Sequence, residues 1–161
     1  MALLVRHVMA EAPEKVATTT MLDQVARLMA EHDVGSIPVV DADGRAHGIV
    51  TDRDLVVRGM AAGRDPGQTS VADVMTGDAL ATISPDAQVS EARDLMAHRR
   101  VRRLLVTKDG KLVGVLSIGD VAEADASKRA VGEALGEISA SAETTRRNDG
   151  PEVGTPERVR G

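Results

Sequence analysis

The chain has no cysteine and no aromatic residue of any kind. Without cysteine there is no disulfide framework, no thiol chemistry and no cysteine-ligated zinc. Without Phe, Tyr or Trp there is no platform on which a single-stranded nucleic acid stacks its bases. The interior must be built from aliphatic residues and seven methionines. Long apolar runs are missing as well. Residues 1–9 carry Arg6 and His7, so neither a signal peptide nor a membrane-spanning helix is read there, and a cytoplasmic location is expected. Nor is there an excess of positive charge: 20 Lys and Arg against 25 Asp and Glu leave −5 at pH 7. That balance opposes non-specific attraction to nucleic acid or anionic membrane, and neither is expected as a partner.

What remains is 161 residues, 42% hydrophobic and 28% charged, able to bury one core or two small shared ones. His7, His32, His47 and His98 show no ligand-like spacing, so no metal site is expected. No Gly-x-Ser-x-Gly elbow, Walker loop or helix-turn-helix cue occurs, and no catalytic residue is assigned.

The dominant feature is an internal repeat. Val8-Met9 recurs as Val74-Met75, Leu28-Met29 as Leu95-Met96, Gly44 as Gly110, Gly48 as Gly114, Thr51 as Ser117 and Asp54 as Asp120. The spacing is 66 for all but the Leu-Met pair, where it is 67. A single-residue indel near the first turn, where Asp41-Ala42-Asp43 faces Lys108-Asp109, reconciles the two. Residues 1–62 form the first repeat, 63–70 a linker containing Pro66 and Gly67, and 71–138 the second repeat. Residues 139–161 carry four Arg and four acids with almost no large apolar residue, and are read as a disordered tail.

Each repeat reads as strand, helix, hairpin, helix. Leu22, Val25, Ala26 and Met29 share a helical face, as do Val89, Ala92, Leu95 and Met96. Ser84-Pro85-Asp86 is a start signal for the second of these helices, with Thr19 or Thr20 in the same role in the first. Short strands are expected at 16–18 and 80–83. Aliphatic runs at 37–40, 48–50, 104–107 and 112–116 surround Asp43-Gly44 and Asp109-Gly110, which are hairpin turns because Gly accepts positive φ. Neither repeat is expected to bury its apolar face alone.

The chemistry sits after each hairpin, in Gly48-Ile49-Val50-Thr51-Asp52-Arg53-Asp54 and Gly114-Val115-Leu116-Ser117-Ile118-Gly119-Asp120. A hydroxyl at the helix start with Asp three residues later admits two readings. One is a capping box, in which both side chains satisfy the helix's own N–H groups. The other is a nucleotide site, with the hydroxyl and helix N-terminus on phosphate and the carboxylate on ribose hydroxyls.

The duplicated order of Val-Met, amphipathic helix, Ile37-Pro38-Val39-Val40, hairpin and Gly-h-h-(Thr/Ser)-x-x-Asp (h, hydrophobic) resembles a pair of cystathionine beta-synthase (CBS) domains, the Bateman module. It spans residues 3–126 and is similar to stand-alone stress-response CBS-domain proteins. The resemblance implies an α/β fold of two pseudo-symmetric repeats, each a small sheet with two packing helices. It also implies two clefts for an adenosine nucleotide (AMP, ADP or ATP) and a sensor rather than a catalyst, with no cofactor required. Carried over by position, Thr51 and Ser117 hold phosphate, Asp54 and Asp120 hold ribose, and Val16 and Leu80 lie near the base. Arg102 and Arg103 reach phosphates, whereas Gly35 and Ser36 stand in their place in the first repeat, so the clefts differ. Val39, Ile49, Val106 and Val115 belong to the core. A homodimer formed through the helices and an unidentified target protein are the implied partners. The rival reading is a ligand-free interaction scaffold whose Thr51, Ser117 and Asp residues cap helices.

Overall fold

The computed structural model describes residues 2–11, 14–77, 80–124, 133 and 135–140. In chain order the elements are strands β1 (Ala10–Glu11) and β2 (Val16–Ala17), helix α1 (Leu22–His32), strands β3 (Ser36–Val40) and β4 (Ala46–Thr51), and the helical turn α2 (Asp52–Asp54), which widens into a π-helical segment over Leu55–Met60. The second repeat follows with β5 (Thr82–Ile83), α3 (Val89–Arg99), β6 (Arg103–Lys108), β7 (Lys111–Ser117) and α4 (Ile118–Ala124). One sheet is ordered β2-β3-β4 and the other β1-β7-β6-β5, so the expected mixed α/β pair is present. Both turns match their sequence signal: Gly44 has φ 79°, and Asp109 and Gly110 have φ 53° and 79°.

Each repeat completes its core with a segment of the other. Val5 is fully buried in a cluster with Val89, Ala92, Met96, Leu104 and Leu116, all of the second repeat. Val71 and Val74, at the start of the second repeat, are fully buried among Leu22, Val25, Ile37 and Val50 of the first. The backbone repeats the exchange. Val5 N–H donates to Ala87 O and Val89 N–H to Leu3 O, while Val71 N–H donates to Thr20 O and Leu22 N–H to Thr69 O. The leading segments also add to the opposite hairpins, Ala10 pairing with Val115 and Thr76 with Ile49. Removing such a valine from water is worth about 1.5–3 kcal/mol, stabilisation that a separated repeat would forgo. This is why neither half buries its apolar face alone.

A third cluster joins the two sheets: Val40, Leu105 and Leu112, flanked by Ala46, Ile49, Leu80 and Val115. Next to it the hairpin tips exchange hydrogen bonds, Ala46 N–H to Gly110 O at 3.3 Å and Leu112 N–H to Gly44 O at 3.0 Å.

Several local expectations need correction. Helix α3 starts at Val89 with Gln88 as its cap, and α1 starts at Leu22 with Met21 as its cap. Ser84-Pro85-Asp86 forms a separate turn, closed by Ala87 N–H on Ser84 O, and its Pro85 O serves the exchanged segment by accepting from Arg6 N–H. The first strands are shorter than read, at 16–17 and 82–83. Ala26 is exposed, because α1 buries the Leu22, Val25 and Met29 stripe and turns Ala26 outward. Gly59 lies within the π-helical segment and is buried, so that segment runs right up to the linker. Two compensating one-residue shifts separate the repeats: Val16 pairs with Val39 as Ile83 pairs with Val106, a spacing of 67 that arises before β2 and returns to 66 at the turn. Residues 135–140 are helical, which includes the first two positions of the expected tail. The rest of it, 141–161, lies outside the described residues.

Candidate functional site

The site is built where β4 runs into α2 and where β7 runs into α4. Extended backbone at Thr51 (φ −112°, ψ 160°) gives way to helical backbone at the next residue, so the first helical N–H groups need partners. Thr51 Oγ1 accepts from Asp54 N–H at 3.1 Å, and Thr51 N–H donates to Asp54 Oδ2 at 2.9 Å. In the second repeat Asp120 N–H donates to Ser117 Oγ at 3.1 Å and Ser117 N–H to Asp120 Oδ2 at 2.7 Å. Both capping boxes are complete.

A complete box still leaves capacity. A hydroxyl has one proton and two lone pairs, and a carboxylate has two oxygens. The Thr51 box uses a lone pair of Oγ1 and one carboxylate oxygen, and among the described residues the Thr51 hydroxyl proton has no acceptor. At Ser117 the hydroxyl also donates to Asp120 Oδ2, at 2.7 Å, so a phosphate there has to compete with an internal acceptor. Asp54 Oδ1 stands 3.9 Å from Arg58 Nε. Asp120 Oδ1 has no partner among the described residues. The two sites share a plan and differ in what is free.

The residues flanking them sharpen the difference. Arg103 sits opposite Ser117 on the β6–β7 ladder, and Arg102 O accepts from Ile118 N–H at 2.9 Å. Both arginines are exposed and form no ion pair among the described residues. Around Thr51 the same places hold Ser36, paired with Thr51, and Gly35, whose carbonyl accepts from Asp52 N–H at 3.0 Å. Asp52 itself occupies the position of Ile118. One mouth therefore carries an added acid and the other two guanidinium groups.

The remaining sequence-derived residues do not converge in this way. Val16 is buried with its side chain in the first core, leaving its backbone as what it can offer a ligand. Its structural counterpart is Ile83, while Leu80 lies three residues earlier and packs between the sheets. Val39 and Val106 are fully buried, and Ile49 and Val115 pack at the joint between the sheets. Two features went unread in the sequence: the Arg58 contact to Asp54, and an apolar groove of about 320 Å³ lined by Leu22, Ala26, Met29, Leu55, Val56 and Met60. Its signal was present in Leu55, Val56 and Met60, a cluster of apolar residues too dense for a solvated turn. Met60 is 73% exposed.

The family's model, described as CBS domain, matches residues 5–59 and 71–127, and thus covers most of the chain in two copies. The chain belongs to the CBS domain family. The CBS domain-containing protein YhcV of Bacillus subtilis (strain 168) is 38% identical over 135 residues, which is 84% of this chain and 94% of that protein. Among solved structures, Hypoxic Response Protein I with two coordinated zinc ions aligns at TM-score 0.68 and 32% identity, over 74% of this chain and 97% of that one. CBSX2 in complex with AMP aligns at TM-score 0.66 and 27% identity, over 76% of this chain and 95% of that one. Among the described residues of this CBS pair no three His, Cys, Asp or Glu are placed so that they could hold a metal ion. No helix among them is long and apolar enough to cross a membrane.

Proposed function

We propose that this CBS pair is a regulatory sensor that binds an adenine nucleotide, AMP, ADP or ATP, and carries no catalysis of its own. The observation that carries the reading is the pair of completed boxes. Each leaves hydrogen-bonding capacity unused at equivalent points of two pseudo-symmetric repeats. The AMP complex of CBSX2, a structure of the same fold, supports it. Thr51 and Ser117 contact phosphate, Asp54 and Asp120 contact ribose, and Val16 and Leu80 border the base. Arg102 and Arg103 add phosphate contacts in the second cleft alone. Ligand spanning both repeats favours one packing of the pair over another, and a partner reads that packing. A homodimer is the first such partner, with the apolar groove of the first repeat supporting it; an unidentified target protein is the second. The protein works in the cytoplasm.

The completeness of both boxes also favours a second reading, a ligand-free scaffold in which these residues cap helices and nothing more. Thermal unfolding followed by far-UV circular dichroism, with and without AMP, ADP and ATP, separates the two. Binding to the folded state alone raises stability, by about 2.7 kcal/mol at a hundredfold excess over Kd. An unchanged midpoint with all three nucleotides leaves the scaffold reading.

A further inference from the structure

Arg58 touches two things that otherwise belong to different parts of the molecule. Its Nε stands 3.9 Å from Asp54 Oδ1, the carboxylate oxygen that the capping box leaves over. Its Nη1 lies 3.4 Å from both Val74 O and Met75 O, carbonyls of the segment that the second repeat inserts into the first core. The reach comes from the π-helical stretch Leu55–Met60, in which Ala61 N–H bonds back five residues to Val56 O. Such widened turns concentrate at functional places because regular α-helix is the cheaper conformation. In the second repeat the counterpart of Arg58 is Ala124, at the end of regular helix, and the link is missing there.

We infer that Arg58 is a positioning residue that couples Asp54 to the exchanged segment, so that occupancy of the first cleft is transmitted to the packing between repeats. The direction follows from electrostatics. While Asp54 Oδ1 is free, it shares the guanidinium with the Val74 and Met75 carbonyls. A ribose hydroxyl that donates to Oδ1 weakens that share and leaves Arg58 to the carbonyls. The exchanged segment is then held more firmly at Thr76, whose N–H donates to Ile49 O at 3.0 Å and whose carbonyl accepts from Ile49 N–H at 3.1 Å. The second cleft, without an arginine at this place, has no such path. The ligand step rests on the nucleotide reading above; the coupling of Asp54 to Thr76 does not.

The test is amide hydrogen exchange at Ile49 and Thr76 in the full chain, with Leu105, bonded to Ala81 O in the second repeat, as the internal control. Without ligand, Asp54→Asn should change exchange at both amides by about two- to fivefold, the range a part-exposed ion pair allows. The change should vanish in the Arg58→Gln background, which removes the charge and ends the side chain near the place of Nε, short of the Val74 and Met75 carbonyls. Arg58→Lys, which returns a cation, should restore part of it and Arg58→Met, an uncharged unbranched chain, should not, whereas a merely structural stem would be served by Met as well as by Lys. With AMP, wild type should gain protection at the two amides. Arg58→Gln should bind AMP within about threefold of wild type and show no gain. An Asp54→Asn effect that is absent, or that persists undiminished beside Arg58→Gln, overturns the coupling. Failure of AMP to bind wild type overturns the nucleotide reading instead, and the ligand-free cycle still decides the coupling.

Discussion

Gly114 of β7 lies directly against Met9 of the leading segment: a Cβ on Gly114 would fall 2.6 Å from Met9 Sδ and 2.9 Å from Ala10 O. Gly48 stands in the same relation to Met75 and Thr76, at 3.1 Å from Sδ and 2.5 Å from the carbonyl oxygen. The glycine at the head of each Gly-h-h-(Thr/Ser)-x-x-Asp run thus lets an exchanged strand cross closely. Gly114→Ala and Gly48→Ala should each lower stability by about 1–3 kcal/mol, because backbone cannot give way as a flexible side chain can. Gly136, in helix with nothing within 4 Å, is the contrast. There the same substitution should stabilise by roughly 0.5–1 kcal/mol. Urea unfolding of the three variants checks both signs.

The hairpins and the boxes at Thr51 and Ser117 were legible because each is local. A turn needs positive φ at Gly44 or Gly110, and a box needs Thr51 and Asp54 three apart. The exchange was not legible, because Val5 and Val71 make their contacts more than 15 residues away, with the opposite repeat. The trace it left was an apolar pair, Val8-Met9 and Val74-Met75, repeated at fixed spacing outside any periodic segment. Ser84-Pro85-Asp86 misled for the related reason that it forms a turn whose Pro85 carbonyl, like that of Ala87 just after it, serves the exchanged segment, and it caps no helix. Ala26 misled because its methyl fits an apolar stripe whether or not a neighbour covers it. Thr51 with Asp54 and Ser117 with Asp120 do come together as the motif spacing implies, whereas Val16 and Leu80 are not equivalent, since the shift before β2 is invisible without the strand register.

Acid should loosen the first hairpin. Asp41 Oδ1 accepts from the N–H groups of Arg45 at 3.0 Å and Asp43 at 2.9 Å, and Oδ2 lies 3.0 Å from His47 Nε2. The Arg45 N–H, first among these, holds the Asp41 carboxyl below the usual aspartate range. A carboxyl that is depressed in the folded state stabilises above its unfolded value of about 3.9, and that stabilisation is lost as pH falls through the lower folded value. Wild type should therefore lose more of its melting temperature below about pH 4 than Asp41→Asn does. Parallel melts at pH 6, 4 and 3 measure the difference. Equal slopes would mean that Asp41 is not part of the acid response.

The second box separates capping from binding. Asp120→Ala removes the acceptor of Ser117 N–H and Ser117 Oγ–H but leaves the Ser117 cap on Asp120 N–H in place. The expected cost to stability is about 1 kcal/mol. The loss of a ribose contact should weaken AMP by more than that, given that bonds to charged groups contribute roughly 1.5–3 kcal/mol. Calorimetric titration beside thermal unfolding gives both numbers on one variant. Unchanged affinity removes Asp120 from the ribose, and a binding loss no larger than the stability loss returns it to the cap.

The two mouths should sort ligands by phosphate count. Around Ser117 stand Arg102 and Arg103, exposed and without ion pairs among the described residues; around Thr51 stand Gly35, Ser36 and the carboxylate of Asp52. A guanidinium makes charge-assisted, often bidentate bonds to phosphate oxygens. Asp52 repels each added phosphate and Ile118, in its place, does not. A single favourable guanidinium–phosphate contact contributes roughly 1.5–3 kcal/mol, reduced by solvent at these exposed positions, so a preference of about tenfold for ATP over AMP is expected in the second cleft. Arg103→Ala should cost ATP more than AMP and leave the first cleft as it was. Asp52→Asn should do the converse, improving ATP at the first cleft without touching the second. Two identical classes of site in wild type, or an Arg103→Ala protein with unaltered ATP affinity, would remove the arginines from the binding argument and leave them as solvated surface charges at the start of β6.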